Sequence, residues 1–151
     1  MNKFATYVLL FALIVSPVAV QAYEKENGLV IKDGWIRLMP AVATASAAYF
    51  TLHNKTDKEM KVVKITTDIA KKASLHDMVM EQDMMSMVAI KELVIPAGET
   101  VVFSPGGKHL MLMGLTKKLE KDKDVLVKFY LEKGEVIEVK FRSYKIAPPA
   151  S

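Results

Sequence analysis

IPAGETVVFSPGGKHLMLMGL, residues 95–115, reads as two short strands set off by two turns. In PAGE (96–99) and SPGG (104–107) a glycine follows a proline, the order expected where a turn demands positive φ. Between the turns TVVFSP (100–105) is rich in β-formers, and HLMLMGL (109–115) alternates. Successive side chains point to opposite faces of a strand, so His109, Met111 and Met113 line one face while the leucines mostly serve the other. One face can enter a core, and the other carries nitrogen and sulfur.

The same pattern extends in both directions. LVIKDGWIRL (29–38), AAYFTLHN (47–54), KVVKITTD (61–68), ASLHDMVM (73–80), SMVAIKEL (86–93), VLVKFYLE (125–132) and EVIEVKFRSY (135–144) are further strand-like segments. Nine short segments with turns at regular intervals predict an all-β domain, an antiparallel sandwich or barrel. EKGE (132–135) joins the last two as a hairpin. Only LTKKLEKDKD (115–124) could hold a short helix. Trp35 and Tyr49 fall in strand patterns as core aromatics, and APPAS (147–151) cannot continue a strand.

The N-terminus, MNKFATYVLLFALIVSPVAVQA, has one lysine, an apolar run from Phe4 to Val15 and small residues at Val20 and Ala22. It reads as a cleavable export signal, residues 1–22, since a membrane-spanning helix needs about 20 apolar residues. That sends the protein to an exported compartment where disulfides are permitted, with a single domain over 23–147 and a loose tail over 148–151. The net charge of the whole chain is +4, and the lysines are interspersed with acids in NKTDKEMK and TKKLEKDKD. Such runs are solvated loops and strand faces, which excludes a nucleic-acid footprint. No membrane span is expected once the signal is removed.

The 151 residues contain no cysteine. Packing alone must hold the fold, and a soft-metal site would have to be built from methionine and histidine. Seven of the ten methionines, Met78, Met80, Met84, Met85, Met87, Met111 and Met113, fall between residues 78 and 113. Core filling would spread them more evenly, because methionine fills gaps without positional preference. Two of the three histidines share the region, each opening a histidine, one residue, methionine pattern: HDM at 76–78 and HLM at 109–111. On a strand this places imidazole and thioether on one face. Two such strands plus one further methionine supply four neutral nitrogen and sulfur ligands, which suit monovalent copper. Calcium and magnesium demand oxygen, and zinc sites use thiolate, imidazole or carboxylate. Asp77 points to the opposite face by strand parity, and His53 lies outside the pattern as a structural or surface residue. Met80, Met84 and Met85 read as flexible rim or core, and Met78 and Met113 as an apolar collar.

His76 is followed by ten residues and Met87, then by twenty-one residues and His109, then by one residue and Met111. With DGWIR (33–37), AAYFTLHN (47–54) and the 95–115 segment, this spacing resembles that of the PCuAC family of periplasmic copper chaperones. The resemblance covers nearly all of the chain after the signal. It implies a cupredoxin-like Greek-key β-sandwich or barrel that binds Cu(I) at an exposed site through His76, Met87, His109 and Met111. It further implies delivery to the dinuclear copper centre of cytochrome c oxidase subunit II, beside a Sco-type chaperone, with no catalysed reaction. Lys123 departs from the family pattern, at a turn distant from these residues. Two other readings stay open: a copper storage or tolerance protein, and a metal-free β-sandwich interaction module with a methionine-rich patch. A blue-copper electron carrier is excluded by the missing cysteine ligand.

Overall fold

A computed structural model describes residues 28–149, so the expected signal segment lies outside the described residues. Ten strands follow one another: β1 (Leu29–Arg37), β2 (Ala45–Asn54), β3 (Met60–Thr67), β4 (Ala70–Glu81), β5 (Met84–Ile90), β6 (Leu93–Ile95), β7 (Thr100–Phe103), β8 (His109–Leu115), β9 (Asp124–Leu131) and β10 (Val136–Tyr144). Their hydrogen-bonded order is β5-β4-β8-β2-β1-β10-β9-β3-β6, with β7 also paired to β2. Among the described residues this path is open, running from an edge at β5 to an edge at β6. No helix among them is long and apolar enough to cross a membrane.

Alternation along the strands builds the core. Ala48, Phe50 and Leu52 of β2 are buried, as are Leu110 and Leu112 of β8 and Val125, Val127, Phe129 and Leu131 of β9. Residues from both arms of the strand order join one apolar cluster, as two sheet faces packed together require. At its centre Phe50 stacks on Phe103 with ring centroids 4.4 Å apart and meets Phe129 edge-on at 5.3 Å. Burial of such aromatic surface dominates core energetics, and replacing a core phenylalanine by alanine typically costs about 3–5 kcal/mol.

The all-β expectation holds, with three corrections. The sheet is mixed rather than antiparallel, because β1 and β10 run parallel through Trp35–Arg142, Ile36–Ser143 and Arg37–Tyr144. Parallel neighbours need a long crossover, and here the rest of the domain supplies it. The described residues form ten strands, since the segment 86–93 divides. β5 pairs with β4 at one edge, and β6 begins at Leu93 and pairs with β3 at the other, so the chain must leave one edge for the other at Lys91 and Glu92. Residues 116–123 form turns and bends instead of a helix. Leu119 packs on the core while its neighbours are charged, and a single apolar residue gives no stripe to bury.

Two local features place the functional face. β2 changes partner midway: Ala45–Ala48 pair with β8, whereas Phe50–His53 pair with β7. The SPGG loop bridges β7 and β8 at this switch. Gly106 adopts φ +85°, which an L side chain rarely does, so the turn closes with Gly107 N–H donating to Ser104 O at 3.0 Å. At the other side β4 and β5 form a hairpin whose two loop residues, Gln82 and Asp83, both have positive φ (47° and 64°). A two-residue turn of that kind matches the strand twist and locks the register of the pair.

Candidate metal centre

With Leu75, Leu110 and Leu112 committed to the core, parity sends His76, Met78, His109, Met111 and Met113 to the outer face of the β4–β8 pair. Register then decides the neighbours. His76 lies directly opposite His109, and their rings are nearly parallel, with centroids 5.9 Å apart and planes inclined by 21°. Met111 is opposite Ser74 on β4 and Ala47 on β2. Met87 on β5 is opposite Met78.

All four residues expected from the sequence, His76, Met87, His109 and Met111, therefore share one face of contiguous strands. The structure brings the two histidines into contact and sets the methionines diagonally, Met111 to one end of the pair and Met87 to the other. Directly opposite residues on a sheet have Cβ atoms about 4.5–5.5 Å apart, and diagonal ones about 7–8 Å, within reach of long side chains. Met87 is the most remote from His109, two strands away. Met78 stands between them on the same face, and parity alone did not distinguish it from a collar residue.

Both imidazoles are oriented. His109 Nδ1 donates to the Gly107 carbonyl oxygen at 2.9 Å, leaving the Nε2 lone pair for a ligand. His76 Nε2 bonds to Ser74 Oγ at 3.0 Å. With that nitrogen donating, His76 Nδ1 keeps its lone pair, and this buried atom has no hydrogen-bond partner. Such orphaned atoms are rare, and one poised beside a second imidazole fits a site for a cation that accepts nitrogen. Ser74 and the Gly107 carbonyl are partners that the sequence pattern did not name, although Ser74 stands two residues before His76, on its face.

Burial first, then the neighbouring His109 and Lys72, lowers the His76 pKa from its ordinary value of 6.5. His76 is thereby held neutral, the form that binds metal. On the other parity Asp77 and Lys108 form an ion pair at 2.8 Å that ties β4 to the SPGG loop. The lysine contact holds the Asp77 carboxyl below its ordinary range, and Asp77 stays off the histidine face.

The site is less exposed at its centre than expected. His109 is only 9% exposed and His76 half-buried, while Met87 is 49% exposed at the edge strand. His53 bonds Thr100 Oγ1 at 2.9 Å in the half of β2 that faces β7, away from the pair. Trp35 and Tyr49 are buried but lie outside the main cluster. Their rings meet at 4.7 Å, tilted by 39°, on the parity opposite to Ile36 and Ala48, one residue beyond the last registered β2–β8 pair, Ala48–Leu110. Among the described residues no three or more His, Cys, Asp or Glu side chains assemble as a metal group, so a metal on this face would need thioethers.

Comparison with known proteins agrees with this architecture. A protein of Leifsonia xyli subsp. xyli (strain CTCB07), named as a lipoprotein, is 30% identical over 125 residues, 82% of this chain and 74% of that protein. The copper-bound PCuAC domain from PmoF2 superposes with a TM-score of 0.66 at 16% identity, over 80% of this chain and 94% of that domain. The solution structure of CuI-DR1885 from Deinococcus radiodurans superposes with a TM-score of 0.60 at 29% identity, over 77% of each chain. With residues 29–142 matching the LpqE-like family model, the chain belongs to the LpqE-like family, and it is structurally homologous to the cupredoxin-like PCuAC copper-chaperone domains.

Proposed function

We propose that this protein is a periplasmic copper carrier that holds Cu(I) through His76, Met87, His109 and Met111 and delivers it to the dinuclear copper centre of cytochrome c oxidase subunit II, beside a Sco-type chaperone. The observation that carries the reading is the cross-strand His76–His109 pair, with one unpartnered nitrogen on His76 and one oriented nitrogen on His109, flanked by thioethers on the same face. The copper-bound states of the PmoF2 domain and of DR1885 support it. It is a binding module and converts no substrate. A neutral thioether holds copper less firmly than a thiolate, so an acceptor can displace Met87 first, from the exposed edge, and the imidazoles last.

Titration of apo-protein with Cu(I) under anaerobic, reducing conditions and a competing chelator should give a single tight equivalent per chain. His53→Ala should leave it unchanged. No tight binding would overturn the carrier reading, and an effect of His53 as large as that of His109 would overturn the ligand assignment. Delivery is tested separately. A strain lacking the protein should lose cytochrome oxidase activity most severely when copper is scarce, whereas normal oxidase assembly at limiting copper would favour storage or tolerance.

A further inference from the structure

The proposed site leaves the outer part of the β4–β5 hairpin unexplained. There the register pairs Met78 with Met87 and Met80 with Met85. Residues two apart on a strand share a face, so these four thioethers form a two-by-two array continuous with His76. Opposite members have Cβ atoms about 4.5–5.5 Å apart, and rows follow at about 6.5–7 Å along the strands. Met80 and Met85 are 65% and 54% exposed. Asp77 and Glu81, the carboxylates of β4, alternate to the other face, as does Met84, which pairs with Glu81.

We propose that Met80 and Met85, with Met78 and Met87 behind them, form a second site for a monovalent soft cation, Cu(I), at the outer end of the hairpin. Three features favour a ligand role over an apolar patch. Exposed strands prefer β-branched and aromatic residues, and an apolar docking surface could be built from them, yet this hairpin places methionine at four matched positions. Contiguous exposed apolar surface carries a solubility penalty unless it has a use. Finally, no carboxylate on the strands shares the face, so hard cations find no oxygen cluster there, while thioethers select soft ones. The site is all-thioether and exposed, so it is weaker than the histidine site. Met87 is common to both, which makes them contiguous, and that continuity rests on the His/Met reading above.

Methionine-methyl NMR of the full chain, titrated with Ag(I) as a redox-inert soft cation and then with Cu(I), tests this. After the first equivalent has moved the Met111 signal, further cation should move Met80 and Met85 saturably and leave Met84 in place. Met80→Leu with Met85→Leu should abolish the second equivalent and preserve the first, and His76→Ala with His109→Ala should preserve the Met80 and Met85 response. Static Met80 and Met85 signals while Met111 moves would overturn the second site and leave the carrier reading standing. Equal movement of Met84 would also overturn it, as unspecific contact with exposed sulfur. Movement of Met80 and Met85 with a static Met111 would uphold the second site and sink the first.

Discussion

Replacing His76 and His109 together by alanine should abolish tight Cu(I) binding while the domain remains folded. The two imidazoles face each other across β4 and β8, and the thioethers stand only diagonally to them, so the pair supplies the centre of the site. Removing a partner that merely orients a metal ligand typically costs about 10–100-fold in affinity, and loss of both nitrogen ligands must exceed that. Ser74→Ala supplies the graded control, because it removes the hydroxyl bonded to His76 Nε2 without touching a ligand, and should fall in that 10–100-fold range. Stability should fall only modestly, by about 1–3 kcal/mol, because losing His109 leaves the Gly107 carbonyl without its donor and losing His76 breaks the bond to Ser74, while removal of the unpartnered His76 Nδ1 offsets part of that cost. Chelator competition measures the affinity and thermal unfolding the stability. A double variant that binds Cu(I) as the parent does would refute the site.

The sequence disclosed the alternation but not the partners. HLMLMGL was legible as a strand with two chemically distinct faces, and burial of Leu110 and Leu112 bears this out. What period-two reasoning could not supply was which strands adjoin. The direct apposition of His76 with His109 comes from β4 pairing β8 across thirty-odd residues of chain, and the parallel β1–β10 contact from strands at opposite ends of the domain. Register is a tertiary property, set by burying one face and by turn geometry. Trp35 and Tyr49 were legible as buried aromatics, and both are only 6% exposed, but their ring-to-ring contact follows from the β1–β2 register, which no hydrophobicity pattern discloses. The Gly107 carbonyl was invisible for a different reason: a backbone atom has no sequence signature, and only the loop conformation, with Gly106 at positive φ, presents it to His109.

Placement on the outer face, next to an edge strand, has a functional consequence. A core ligand set would bind without exchange, whereas here burial grades from His109 through half-buried His76 and Met78 to half-exposed Met87. A cation held as proposed would be shielded at the nitrogen end and accessible at the sulfur end. The Asp77–Lys108 pair on the reverse side ties β4 to the loop before β8, so the two histidine-bearing strands are held in register from behind.

Met87→Ala with Met111→Ala should remove Cu(I) binding in acid far more completely than at neutral pH. Imidazole binds metal only when neutral, so protons compete for His76 as pH falls, whereas thioethers do not titrate in this range. The sign for His76 follows from its environment: burial and the nearby His109 lower its pKa, so it stays neutral to a lower pH than a free histidine. The unfolded chain takes up the proton first. His76 thus contributes stability that is present above its unfolded pKa of 6.5 and lost as pH falls through its lower folded value. Cu(I) affinity of the parent should accordingly decline gradually in acid, as pH falls through the lowered His76 value, with residual binding held by sulfur at about pH 4–5, below the free-histidine value. The double methionine variant, reduced to two imidazoles at the centre, should be empty there. Affinity measured across about pH 4–8, spanning the histidine reference value, separates the two. If the variant kept the parent's acid-range binding, Met87 and Met111 would not be ligands, and their place on the histidine face would be one of packing alone.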